Sequence, residues 1–118
     1  MKNLAPDIKR QRLLIEWFYD IEVNKSIIED YFNGITDYLK LRMYWEPIIF
    51  SPWWEGKEEN QGYDAFVPLI DSWISVYVWS NANFLSLIIY TCKDFNEKKA
   101  IEYTKSFWNI TEIESQSF

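Results

Sequence analysis

The seven residues Trp73-Ile74-Ser75-Val76-Tyr77-Val78-Trp79 alternate without a break between aliphatic side chains and aromatic or polar ones. Successive side chains on an extended strand point to opposite faces, so this run reads as a strand with two unlike surfaces. Ile74, Val76 and Val78 make an aliphatic face for helices to cover, while Trp73, Ser75, Tyr77 and Trp79 make an aromatic and polar one. A sheet built on such a strand takes helices on one side and leaves the other free. Aromatics on a free face point to a site or a subunit contact.

The flanking segments fit that plan. Leu13 to Tyr19 is β-rich and reads as a first strand. A helix opens at Asn24 or Ser26, with Ser26 and Glu29 spaced as a capping box, and carries Ile27, Ile28, Tyr31, Phe32, Ile35, Tyr38 and Leu39 on one face. Met43 to Trp45 reads as a second strand, which Pro47 breaks before Ile48-Ile49-Phe50. Residues 51–62 form a long loop. Tyr63 to Ile70 is either a separate strand or the first half of one bent strand, and Ser80-Asn81-Ala82-Asn83 turns into Phe84 to Tyr90. Asp94, with Glu97 three residues on, is expected to cap a last helix that buries Ala100, Ile101, Thr104, Phe107 and Trp108. The expected fold class is α/β of the α+β kind: a two-layer sandwich, an antiparallel sheet with two helices packed on one face. One domain over residues 1–118 is expected, with 1–11 and 111–118 as flexible ends.

Composition narrows the chemistry. Aromatic residues make up 19% of the 118, more rings than a core of this size takes, so several are expected to line a pocket or an interface. Trp53 and Trp54, in the polar loop, either close over a ligand or neighbouring subunit or pin the loop to its own domain. A net charge of −6 argues against a nucleic-acid partner. The absence of histidine removes His-ligated metals and every Ser-His or Cys-His pair. Cys92 is the one cysteine, which excludes an intrachain disulfide and suits a reducing compartment. With no apolar leader and no apolar run near the roughly 20 residues of a membrane span, the expectation is a cytoplasmic protein with no membrane partner.

Four features of the second half follow one another in order: Asp71-Ser72, the aromatic-ended strand from Ile74 to Trp79, Thr91-Cys92, and Asp94 ahead of a helix. With this order and spacing, Gly62 to Trp108 resembles the short prokaryotic S-adenosylmethionine decarboxylases, and Leu14 to Tyr19 is similar to that family's first strand. The resemblance implies the two-layer fold and a pocket for S-adenosylmethionine. It also implies a self-cleaving serine, at Ser72, whose pyruvoyl product acts as an electron sink while carboxylate leaves. Cys92 matches the family's proton donor. The aids to self-cleavage differ: the upstream serine is Asp64 here, the histidine is Tyr77, and the Glu before the serine is Asp71. A phenol, with an ordinary pKa near ~10, does not shuttle protons at neutral pH as an imidazole does. The expectation is a relative that keeps the pocket without the pyruvoyl cofactor. Self-cleavage at Ser72 is the alternative, and a non-catalytic ligand-binding homologue is a third reading.

A fainter resemblance, through Cys92-Lys93-Asp94, Ala100 and Trp108, is to the phage-type S-adenosylmethionine lyases. It implies cleavage of the carbon–sulfur bond to methylthioadenosine and homoserine lactone, at sites between subunits. Related lyases act on nucleotide conjugates in antiviral defence, so free S-adenosylmethionine and a conjugate both stand as substrates. Catalytic candidates are Asp64, Asp71, Ser72, Tyr77 and Cys92. Substrate-binding candidates are Glu46, Trp53, Trp54, Trp73 and Trp79, since a sulfonium over a ring face gains about 0.5–2 kcal/mol. The plainer readings are that Trp73 and Trp79 fill an oligomer interface, that the carboxylates are solvated, and that Cys92 is a small buried residue. A homo-oligomer, dimer or trimer, is expected from the free aromatic face.

Overall fold

The computed structural model describes residues 1–51 and 55–118. Its elements are strand β1 (Gln11–Phe18), helix α1 (Lys25–Tyr38), strands β2 (Ile48–Phe50), β3 (Gly62–Leu69), β4 (Ser72–Trp79) and β5 (Phe84–Thr91), helix α2 (Glu97–Trp108) and strand β6 (Glu114–Ser117). The strands form one antiparallel sheet in the order β2-β3-β4-β5-β1-β6, with both helices over one face. This is the expected two-layer α+β sandwich.

The alternating run forms one of the sheet's two central strands, and its parity sets the parity of its neighbours. Ile74, Val76 and Val78 are buried, as are Ala65 and Val67 on one neighbour and Leu85, Leu87 and Ile89 on the other. Residues 63–79 make two strands and not one bent one. The chain reverses at Ile70-Asp71, where Asp71 takes a left-handed φ of 60°. The next reversal uses Asn83 at φ 50°. Asn and Asp tolerate that region better than branched residues do, so both turns sit where the sequence permits them.

Four local expectations give way. Met43 makes only a single bridge to Leu69, and the strand before the loop is Ile48–Phe50, because Tyr44 N–H is drawn to the carbonyl of Pro68 and Pro47 follows. Helix α1 is capped by Asn24, whose side chain accepts from Ile27 N–H at 2.9 Å, with no Ser26–Glu29 box. Helix α2 is capped by Asn96, which accepts from Lys99 N–H, while Asp94 pairs instead with Lys9. Finally, the tail forms β6 against the open edge of β1, with Phe118 N–H bonded to the carbonyl of Arg12. Its side chains are all exposed, so the backbone ladder and not burial accounts for it.

Between the layers lies a cluster of rings. Trp108, at the end of α2, packs within 5.8 Å, centroid to centroid, of Trp17, Tyr19 and Tyr31. Tyr31 and Thr104 share a 2.7 Å hydrogen bond that ties α1 to α2 in the core. Gly34 admits the close approach of Tyr103, whose hydroxyl occupies the space a Cβ would take. Ile101 and Phe107, expected on the buried stripe of α2, are only partly covered. No helix of the described residues is long and apolar enough to cross a membrane.

Candidate functional site

The face of the sheet opposite the helices carries aromatic and apolar side chains crossed by one polar row. Cross-strand register aligns Phe18, Phe84, Trp79 and Gly62 in one row, and Glu16, Ser86, Tyr77 and Asp64 in the next. Beyond it come Leu14, Ile88, Ser75 and Phe66, then Arg12, Tyr90, Trp73 and Pro68. The rings form two chains of contacts. Trp73 stacks on Tyr90 at 5.3 Å with planes 1° apart and touches Phe66. Running outward from Tyr77 in the polar row, Tyr77, Trp79, Phe84 and Phe18 follow one another at 4.6–5.5 Å. Phe18 and Phe50 are 68% and 63% exposed, unusual for phenylalanine in a folded chain.

One end of this face is tied to the turn of 3-10 helix at Glu58–Asn60. Tyr77 Oη donates to the Asn60 carbonyl at 2.5 Å, and Trp79 Nε1 donates to Asn60 Oδ1 at 3.0 Å. Asn81 Nδ2 donates to the Glu58 carbonyl at 3.1 Å. Behind these, Ser80 N–H bonds to the Gln61 carbonyl, and Gly62 has no room for a side chain because the Val78 carbonyl oxygen lies 1.8 Å from where a Cβ would stand. Desolvation, and then the carboxylate of Asp64 opposite, raise the pKa of Tyr77 above its ordinary value. The phenol is therefore protonated at neutral pH.

The candidates from the sequence separate into groups. Asp64 and Tyr77 are direct cross-strand partners on the free face, which also holds Trp73 and Trp79. Asp71, Ser72 and Cys92 gather at the far end of β4, where Cys92 N–H donates to the Asp71 carbonyl at 2.8 Å. Ser72 faces the helix side and is buried, and its Oγ has no hydrogen-bond partner among the described residues. Cys92 is exposed, contrary to the plainer reading of it as a small buried residue. Glu46 is exposed beside Glu29 and Asn33 of α1, in a groove of about 540 Å³ away from the free face. Trp53 and Trp54 lie outside the described residues.

Two features of the structure carry no mark in the sequence. Asn60 orients two site rings, and nothing in a polar loop marks one asparagine as that partner. The other is a groove of about 950 Å³ where β1 ends, walled by Phe18 and Phe84 on one side and Asn109 to Glu114 on the other. It exists because β6 returns along β1, and the tail's polar composition hid that strand. No group of His, Cys, Asp or Glu suited to a metal occurs among the described residues.

The chain is similar to known proteins in both sequence and shape. The family model described as S-adenosylmethionine decarboxylase matches residues 19–118. The crystal structure of the adenosylmethionine decarboxylase from Aquifex aeolicus VF5 superposes with a TM-score of 0.68 at 20% identity, covering 94% of this chain and 89% of that one. At that identity the likeness speaks for the fold alone. No curated protein matches the sequence.

Proposed function

Because the chain belongs to the S-adenosylmethionine decarboxylase family, we propose that it binds S-adenosylmethionine, or a nucleotide conjugate of it, on the free aromatic face and cleaves its carbon–sulfur bond as a lyase. In that reaction the substrate's carboxylate oxygen attacks its own γ-carbon and the C–S electron pair moves to sulfur. The sulfonium is thereby neutralised to the thioether of methylthioadenosine, and the remainder leaves as homoserine lactone. Such a step needs a held conformer more than a proton shuttle. Rings at 4.6–5.5 Å spacing offer faces for the sulfonium and for adenine. Two copies apposed through this face would enclose the site, which favours a homo-oligomer.

The observation that carries this reading is Tyr77. It stands where the family resemblance puts a histidine, and its only proton is committed to the Asn60 carbonyl. The residues here fit a pyruvoyl group poorly: the buried Ser72 hydroxyl touches no acceptor that would take its proton, and Asp64 and Tyr77 face the other side of the sheet. One feature favours the second reading, self-cleavage and decarboxylation. Asp71, just before Ser72, sits in the left-handed region, which stores about 1–3 kcal/mol at a non-glycine residue.

Mass spectrometry of the intact protein mixed with S-adenosylmethionine tests both. The lyase reading expects an uncut chain and methylthioadenosine with no carbon dioxide. Two fragments parting at Ser72, with carbon dioxide released, support the decarboxylase and overturn the lyase. Tight binding with no product over hours makes the protein a ligand-binding homologue.

A further inference from the structure

The donors and acceptors of the polar row are not balanced. Tyr77 has one O–H and gives it to the Asn60 carbonyl, and Trp79 gives its one N–H to the Asn60 side chain. The donors of these two rings are thus turned into the chain itself. At the Asp64–Tyr77 pair itself what remains open is acceptor only, the exposed carboxylate of Asp64 and the lone pairs of the Tyr77 oxygen beside it in register, while Ser86 on the other side of Tyr77 can donate or accept. Among the described residues Asp64 makes no ion pair, the one salt bridge being Lys9–Asp94. Asp64 and Tyr77 are direct cross-strand partners on adjacent strands, which sets the two side chains next to each other on the free face.

We propose that Asp64 and Tyr77 form a subsite for a primary ammonium, the α-amino group of the amino-acid end of the ligand, and that Asn60 is the positioning residue that keeps the Tyr77 oxygen an acceptor. A donor-free pair repels carboxylate and phosphate oxygens and accepts two N–H bonds from an ammonium. The Trp79 ring, 4.6 Å from Tyr77, walls the subsite on the apolar side. This assignment rests on the ligand class proposed above and adds which end of the ligand lies where: amino-acid end on the polar row, the rest across the rings.

Calorimetric titration of the wild-type protein and Asp64→Asn with three ligands tests it. S-adenosylmethionine carries ammonium and sulfonium, S-adenosylhomocysteine the ammonium alone, and methylthioadenosine neither. Loss of a charged hydrogen bond predicts about 10- to 100-fold weaker binding of the first two by Asp64→Asn, with methylthioadenosine unchanged. Asp64→Glu is expected to restore part of the loss. Equal weakening of all three, or none, overturns the assignment, and weakening of S-adenosylmethionine alone moves Asp64 to the sulfonium instead. Wild-type protein that binds none of the three removes the ligand class itself, and this subsite with it. For Asn60, the expected result of Asn60→Ala is a smaller loss for the two ammonium ligands than Asp64→Asn gives. No loss on that substitution, with the fold intact by circular dichroism, removes its positioning role.

Discussion

The two faces of the sheet come from the same strands and serve different ends. On the helix side, Ile74, Val76 and Val78 meet Trp17, Tyr31 and Trp108 in a buried core closed to solvent. On the free side the same strands present Trp73, Tyr77 and Trp79, and among the described residues one short turn is anchored to that face through Asn60. Aromatic content is high on both, so ring number does not distinguish core from site. What distinguishes them is how polar groups are handled. The core ties Tyr31 to Thr104 across two helices, whereas on the free face, among the described residues, Tyr77 alone of the row Glu16, Ser86, Tyr77 and Asp64 is tied, to the Asn60 carbonyl, and Asp64 is exposed.

If that division holds, substitutions on the two sides separate stability from binding. The largest effect is expected at Trp108: replacing this buried indole with Ala empties the junction of Trp17, Tyr19 and Tyr31. A loss of about 3–5 kcal/mol in urea unfolding is expected, and a loss under 1 kcal/mol would show that this cluster is not the centre of the core.

Gly62 sharpens the contrast, because it lies on the free face yet is packed against backbone. Gly62→Ala should cost about 1–3 kcal/mol, since the Val78 carbonyl must move to admit the methyl group. A neutral result by thermal denaturation would mean that the free face tolerates change everywhere.

A pH series reads the core from another side. Burial raises the Tyr31 phenol well above its ordinary value of 10.0. Above pH about 10 the unfolded chain releases that proton while the folded chain keeps it. The stabilisation present at lower pH therefore declines as pH rises, by up to about 1.4 kcal/mol per unit from this group. Tyr31→Phe should remove that slope while costing about 1 kcal/mol at neutral pH for the lost bond to Thr104. An unchanged alkaline slope in the variant would assign it to other groups.

The smallest stability effect is expected on the free face. Phe18→Ser, at a residue 68% exposed, should shift unfolding by no more than about 0.5 kcal/mol. The same substitution should weaken self-association in sedimentation velocity. Intact association would place the subunit contact elsewhere.

Much of the fold was legible because period-two patterning is strong in this chain. Parity in residues 73–79 determined which side chains of β4 go inward, and Ser80-Asn81-Ala82-Asn83 marked the turn into β5, whereas the sequence leaves the reversal at Asp71 open between two strands and one bent strand. Legibility failed where the structure depends on pairing between distant backbone groups. Strand β6 has the sequence Glu-Ser-Gln-Ser and no apolar pattern, and it forms because the edge of β1 offers unpaired N–H and C=O groups. The helix caps slipped for a related reason. Asp94 has the right chemistry for a cap, but Lys9 engages it and Asn96 is the residue placed at the helix start.

The candidate site divides along the same line. Strand alternation sufficed to put Trp73, Tyr77 and Trp79 on one face, and the family resemblance is what named Asp64, Tyr77, Ser72 and Cys92 as catalytic candidates. Parity placed Ser72 and Tyr77 on opposite faces, but only the tertiary structure turned the Tyr77 proton toward Asn60, seventeen residues away. Side-chain type, backbone tolerance and alternation are local properties, so the sequence by itself determined the two-faced sheet and the family to which it belongs. Which donors are consumed and which acceptors stay open depends on atoms brought within about 3 Å by folding, and only the structure decided that.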